Sequence, residues 1–402
     1  MNRARSTRSA FCIAAVAAAL VLATAPAPAL AATTWATVSS PSRGTIANYL
    51  DDVAAVSTSS AWAVGSWYDT SRAAPRTLTL RWSGSSWSTV ASPNSTSYYN
   101  ELAAVDAVAA NDVWAVGYAN GSSGVNGAPR NTLALHYNGS KWSVVTTPQP
   151  GVQTRELYDV AALTAANAWA VGWYYDTGFV AESLVLHWTG ASWVKTEVPN
   201  PGTGLNQLYG VDATSAGDVW AVGTMTNTGD PRGSRHPLAL HFNGTTWSSV
   251  AMPDPPSGSA ILRSVTAISS SDAWAVGSQN GYSQPVAYHW DGRAWSLVPT
   301  PSVGATGNNL FYRVTALDGA RVWAVGYRSG SANGPQALVE RWNGSTWTVE
   351  PTPTQSLGGA ALGVSAITGP AGAASVWVAG YRTAFVNGGY SDRTLTLRGT
   401  GS

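Results

Sequence analysis

The chain has 402 residues, of which only 11% are charged, and its 22 basic and 21 acidic side chains leave a formal net charge of +1. That near-balance excludes the basic footprint of a nucleic-acid binder and the polybasic surface that seeks anionic membranes. Abundant glycine, 41 residues, together with many strand-forming Trp, Tyr, Val and Thr residues, excludes a helical class and indicates an all-β chain.

Arg3, Arg5 and Arg8 precede an apolar run from Phe11 to about Ala25, which ends in prolines and the small-residue site Ala29-Leu30-Ala31. This is the pattern of a secretory signal peptide over 1–31, cleaved after Ala31, and the run is short for a membrane span. Cleavage removes three arginines and the one cysteine, Cys12, so 19 basic and 21 acidic residues remain and no disulfide or thiolate metal site can form. The expectation is a secreted, extracellular protein without membrane insertion, cofactor or metal, stabilised by packing, and monomeric unless it joins an assembly.

The mature chain, 32–402, opens with a lone strand over 34–41, Trp35-Ala-Thr-Val38-Ser-Ser-Pro41, which copies Trp87-Ser-Thr-Val90-Ala-Ser-Pro93. From there the sequence repeats. Trp-Ala-Val-Gly begins at Trp62, Trp114, Trp169, Trp220, Trp274 and Trp323, with Trp377-Val-Ala-Gly380 as a seventh copy, and successive copies lie 49 to 55 residues apart. A period near fifty marks a propeller or a related array. In one repeat, Leu102 to Val108 alternates as an inner strand, Ala109-Ala110-Asn111 turns, and Asp112 to Gly117 forms a second strand. Thr132 to Tyr137 reads as a third strand, Asn138-Gly139 as a two-residue hairpin turn, and Trp142 to Val145 as a fourth.

Each unit is therefore a four-stranded antiparallel meander, and seven of them make a seven-bladed β-propeller with blades at 50–93, 102–148, 157–199, 208–253, 262–301, 311–353 and 361–398. The last unit has no fourth strand of its own. The strand at 34–41 supplies it and closes the ring, which leaves no ragged edge.

Comparing the seven copies gives the roles of the recurring residues. The position two before each repeat tryptophan is Ser60, Asp112, Asn167, Asp218, Asp272, Arg321 and Ser375; the third-strand polar position is Arg81, His136, His187, His241, His289, Arg341 and Arg398. Histidine occurs where Asp or Asn does, so these four histidines read as structural, and the antiparallel register expected sets Asp112 opposite His136 and Trp114 opposite Ala134. The repeat tryptophans read as core.

Function is expected on the face that carries the connections from strand two to strand three and from blade to blade, which are long and unequal, such as 118–131, 224–236, 381–392, 94–101 and 302–310. Aromatic and arginine side chains collect there. The candidate ligand-binding residues are Trp67, Tyr68, Trp173, Tyr174, Tyr175, Tyr209, Tyr312, Tyr327 and Arg328, with Tyr98-Tyr99, Tyr282 and Tyr381-Arg382 nearby. Flat rings with hydroxyl tips can stack on sugars or anchor a protein, and arginine adds planar hydrogen bonding. Asp51, Asp52, Glu101 and Asp159 lie on inner strands with Arg313 farther round, and Asp52 with Asp159 is the candidate acid and base pair of a glycan-active enzyme. A hydrated acidic channel lining is the plainer account of these carboxylates. No phosphate loop, His-x-x-His pattern or Gly-x-Ser-x-Gly elbow is present.

With Asp218-Val-Trp220-Ala-Val-Gly223, Leu238-Ala-Leu-His241-Phe242-Asn243-Gly-Thr-Thr-Trp247 and Pro253-Asp-Pro255 in hand, the chain resembles a family of secreted, tryptophan-rich bacterial propellers that carry this repeat and are mostly of unassigned function. The resemblance implies architecture along the whole mature chain, since the matching positions are structural ones. Kelch glycine pairs and sialidase Asp-boxes are not reproduced, so their chemistry does not transfer. The leading expectation is a non-catalytic module that binds an extracellular glycan, or a secreted or cell-surface protein, through the long-loop face. The alternatives are a hydrolase or lyase at the central channel and an adaptor subunit of a secreted assembly.

Overall fold

The computed structural model describes residues 33–120, 128–230, 232–301, 307–329, 334–368, 372–386 and 388–401. The expected leader at 1–31, and parts of the expected loops at 118–131 and 302–310, lie outside the described residues. The rest is a seven-bladed β-propeller of four-stranded antiparallel sheets. Blade 2 is typical, with strands Tyr99–Ala109, Asp112–Asn120, Asn131–Tyr137 and Trp142–Val145. The innermost strand of each blade packs on that of the next, and Gly359–Thr368 of blade 7 packs back on Asn48–Ser57 of blade 1, so the ring is closed.

The clasp is the N-terminal strand. Thr34–Val38 pairs antiparallel with the third strand of blade 7, Gly389–Gly401, and sets Trp35 opposite Gly399. Trp35 fills the place that the fourth-strand tryptophan holds in other blades, beside Trp323, and its indole N–H donates to the buried carboxylate of Glu350.

The repeat tryptophans are the interblade core. Trp62, Trp114, Trp220, Trp274, Trp323 and Trp377 are among the largest fully buried side chains, and each burial removes a large apolar ring from water. Trp114 of blade 2 sits against Trp188 and Trp193 of blade 3, at centroid distances of 4.8 and 5.0 Å, and the same wedge recurs where Trp220 meets Trp290 and Trp295.

The contact between Asp112 and His136 forms, Nε2 to Oδ1 at 2.7 Å, but the register differs from the expected one by two residues. His136 stands directly opposite Trp114, and Ala134 opposite Val116. The imidazole therefore lies on the indole and reaches Asp112 diagonally. All four third-strand histidines stack this way at 4.1 to 4.5 Å, each held by its Asp or Asn. Where the blade has arginine instead, Arg81, Arg341 and Arg398 lie over Trp62, Trp323 and Trp377 at 5.3 to 5.5 Å. The His or Arg column is thus the lid on the tryptophan, by stacking or cation–π attraction.

Two local expectations change. The Asn138-Gly139 turn spans four residues, because Tyr137 pairs with Trp142; only Gly139 has positive φ, and the Asn138 side chain accepts from the N–H groups of Ser140 and Lys141. Residues 381–392 are not a loop, since Ala374–Val386 and Gly389–Gly401 continue as a paired hairpin that ends in the exposed pair Phe385 and Tyr390.

Every innermost strand carries the same irregularity. Leu102 faces Gly117 and Ala104 faces Val116, which leaves Ala103 as an extra residue, a β-bulge; the same shift recurs in all seven blades. The bulge brings a first-strand carbonyl onto the repeat glycine. A Cβ on Gly172 would overlap the Glu156 carbonyl oxygen, which explains why the motif ends in glycine.

Candidate functional site

The bulged residues are Asp51, Ala103, Tyr158, Tyr209, Arg263, Tyr312 and Leu362, one from each blade, and all of them line the mouth of the central channel on the long-loop face. A bulge re-aims a side chain, and here seven re-aimed side chains converge on one cup of about 300 Å³. Glu101, Tyr118 and Tyr381 complete its wall, and Arg313 forms the floor.

Arg313 is a crossbar. Reaching from blade 6, its guanidinium contacts Asp159 of blade 3 at 2.9 Å and stands 3.7 Å from Asp52 of blade 1, and its Nη2 donates to the carbonyls of Ala103 and Tyr158. Asp52 and Asp159 are further engaged by backbone: Asp52 Oδ2 accepts from Val105 N–H at 3.1 Å and Asp159 Oδ2 from Val211 N–H at 3.0 Å. One tier below, Asp106 accepts from Ala162 N–H and Asp212 from Ala267 N–H. The four carboxylates thus staple each of blades 1 to 4 to the blade that follows, while Ser264 and Ser365 make the same kind of bond to Val314 and Ala55.

Withdrawal from bulk water pushes these acids up, Asp106 and Asp159 to about 7 and Asp212 to about 6, and raises Asp52 despite the opposing charge of Arg313. Asp51 is raised well above the usual carboxylate range by burial and by the neighbouring Glu101. An acid and base pair needs a carboxylate free to take and return a proton. Asp52 and Asp159, the pair expected to offer that chemistry, are instead bound to one guanidinium and to interblade N–H groups.

Beside the cup lies a larger groove of about 680 Å³, walled by Tyr68 of blade 1, Tyr98, Tyr99 and Asn120 of blade 2, and Glu156, Tyr158, Trp173 and Tyr175 of blade 3. Tyr158 belongs to both cavities. Within the groove, Arg130 is ion-paired with the buried carboxylate of Glu156 and lies 4.8 Å from the ring of Tyr118, while Tyr158 donates its hydroxyl to Glu156. Tyr99 and Tyr118 stack at 6.0 Å, and both hydroxyls donate to Glu101.

Of the expected binding residues, Tyr68, Trp173 and Tyr175 meet in the groove, and Tyr209 and Tyr312 stand in the cup. Trp67 and Tyr174 do not join them, because neighbours along a strand point to opposite faces. Trp67 packs on the blade 1 core under Arg43 at 4.8 Å, and Tyr174 packs on the blade 3 core near Lys195. Tyr327 backs the ring of Tyr312 at 6.1 Å, and Arg328 is exposed; neither lines the cup or the groove. Sequence reasoning missed Tyr158, Arg130, Glu156 and Arg263. The signal for Tyr158 and Arg263 was available, since both follow the first-strand leucine of their repeat, an inner position that changes chemistry from blade to blade.

Solved structures share the architecture, two of them as follows. One is YCF48 bound to D1 peptide, 15% identical, with a TM-score of 0.52 over 93% of this chain and 98% of that one. The other is the GH74 xyloglucanase from Xanthomonas campestris, 14% identical, with a TM-score of 0.50 over 82% of this chain and 50% of that one. At these identities the likeness shows the fold alone. No family model matches the chain, and no curated protein matches it.

Proposed function

We propose that this protein is a secreted, non-catalytic binding module that takes an extracellular glycan in the aromatic groove of its long-loop face. The observation that carries the reading is the groove itself: six aromatic side chains, Tyr68, Tyr98, Tyr99, Tyr158, Trp173 and Tyr175, surround a trough of about 680 Å³ that also holds Asn120, Arg130 and Glu156. Apolar ring faces beside a few fixed polar groups suit a sugar chain, whose pyranose faces are apolar and whose rims are hydroxylated. The engagement of Asp52 and Asp159 by Arg313 supports binding over hydrolysis. The signal-like segment at 1–31 supports export.

A protein partner is the second reading, favoured by the exposed Phe385 and Tyr390 at the end of the blade 7 hairpin, 62% and 74% accessible. One similar structure is named a xyloglucanase and the other holds a D1 peptide, so both ligand classes occur on such folds. A glycan array followed by calorimetry on the best oligosaccharide tests the first reading. Tyr68→Ala and Tyr175→Ala should each weaken binding by about tenfold, and Phe385→Ala should leave it unchanged. A blank array, or binding that both tyrosine variants retain, sinks it. N-terminal sequencing of the protein from culture medium tests export, and a start other than residue 32 counts against cleavage after Ala31.

A further inference from the structure

The cup at the channel mouth differs in chemistry from the groove that joins it. Five tyrosines, Tyr118, Tyr158, Tyr209, Tyr312 and Tyr381, ring a volume of about 300 Å³, and the carboxylates of Asp51 and Glu101 stand among them. Below them the channel holds Asp52, Asp159, Asp106 and Asp212. Against these six acids there are two guanidiniums. Arg313 is occupied by Asp52 and Asp159, and Arg263, across the ring from Asp51, lies over Tyr312 and Tyr282 at 5.1 and 5.6 Å. The channel mouth is therefore an electron-rich aromatic ring with six carboxyl groups near it against two guanidiniums. Burial holds several of those carboxyls partly protonated, and an incoming cation favours their ionised forms where an anion opposes them, so the site selects a cationic ligand.

The kind of cation follows from how the carboxylates are spread. Among the described residues no three metal-ligating side chains converge closely enough to hold an ion. A small hard cation needs such converging oxygens. A bulky, weakly hydrated ammonium does not, because aromatic rings can supply most of its contact, with a carboxylate nearby for charge. Glu101 is fixed for that role, its two oxygens accepting from the hydroxyls of Tyr99 and Tyr118. The cup and groove are joined through Tyr158, so one ligand can lie in the groove and present a substituent to the cup.

We infer that the channel mouth is a subsite for an organic ammonium group and, resting on the glycan reading of the groove, that the glycan is one bearing free amino sugars. The test is calorimetry with three probes, a β-1,4 glucosamine tetramer, its fully N-acetylated counterpart and tetramethylammonium chloride, against the wild type, Asp51→Asn and Glu101→Gln. The wild type should prefer the free-amine tetramer by about tenfold, and each variant should reduce that preference to about twofold or less. Equal or tighter binding of the N-acetylated tetramer overturns the inference, as does a preference that survives both substitutions. Should a variant fail to fold, the wild-type preference between the two tetramers still decides. Binding of tetramethylammonium that both variants lose, with neither tetramer bound, upholds the ammonium subsite and overturns the amino-sugar assignment, while the glycan reading of the groove still rests on the array. Silence from all three probes overturns the subsite and the amino-sugar assignment together.

Discussion

At the scale of single residues, the repeat shows its rules most clearly where one copy breaks them. The third-strand core position is Leu80, Leu135, Leu186, Leu240, Tyr288, Glu340 and Leu397 in blade order. Tyr288 satisfies its hydroxyl on the Pro253 carbonyl, but Glu340 is fully buried with no hydrogen-bond partner on either carboxylate oxygen. Burial pushes its carboxyl from the ordinary 4.5 up to about 8. The native state therefore holds this proton more tightly than the unfolded chain, so the ionisation penalty is absent below pH 4.5, grows as the pH climbs toward 8 and then levels off, on top of the pH-independent cost of burying an unpartnered carboxyl. The upper limit of that penalty is about 5 kcal/mol, with relaxation and water entry lowering it. Glu340→Gln should raise Tm by roughly 2–5 °C at pH 8 and change it little at pH 4.5, and Glu340→Leu, which restores the residue of five sister blades, should raise it further. Scanning calorimetry at the two pH values checks this, and a Gln variant that melts with the wild type at pH 8 would refute the penalty. The anomaly is visible in the sequence as a charge in a leucine column, but its burial is not, because a third-strand carboxylate one residue out of register would face solvent.

At the scale of the element, the four-residue motif within the second strand connects scaffold to site. Its tryptophan wedges into the next blade, and its glycine lets the neighbouring strand bulge. The bulge aims one residue per blade into the channel mouth. Gly172→Ala places a methyl against the Glu156 carbonyl, which other backbone bonds hold in place, so the strand must shift. The expected cost is roughly 2–4 kcal/mol of stability, with loss of ligand binding in any folded fraction, because Tyr158 is the bulged residue, Glu156 lies two residues before it, and both line the groove. Chemical denaturation and calorimetry measure the two effects, and a variant with wild-type stability would mean the bulge tolerates a Cβ. Blade count, strand order and the clasp were legible because each repeats in every blade or completes a repeat, and the structural histidines because all four stand in blades with a matching Asp or Asn. The bulge was not, since a one-residue register shift leaves the alternation of Leu102-Ala-Ala-Val105 ambiguous among small residues. The same ambiguity separated Trp67 from Tyr68 and Tyr174 from Tyr175, pairs that sequence reasoning grouped and the strand pleat divides.

At the scale of the whole molecule, closure decides whether seven marginal sheets behave as one body. Blade 7 ends, like its sisters, in a short fourth strand only while Thr34–Val38 lies on Gly389–Gly401. The clasp holds through five paired residues, through the Thr396 hydroxyl on the Val38 carbonyl at 2.7 Å, and through Trp35, which is 9% exposed and seated near Trp323. Trp35→Ala removes that anchor and leaves the Glu350 carboxylate without the indole N–H, at a cost of about 3–5 kcal/mol. Deleting residues 33–38 goes further, because it bares the outer edge of blade 7, a strand of thirteen residues, to any passing strand. The truncated chain should melt at a lower temperature and form oligomers in light scattering, and a peptide covering 33–41 should restore both monomer and Tm by filling the vacant edge. A truncated protein that stays monomeric and melts with the wild type would show that the interblade tryptophans close the ring unaided. That outcome would also detach stability from this strand, whereas the clasp as seen ties Thr34–Val38 to Gly389–Gly401 and makes the ring depend on both.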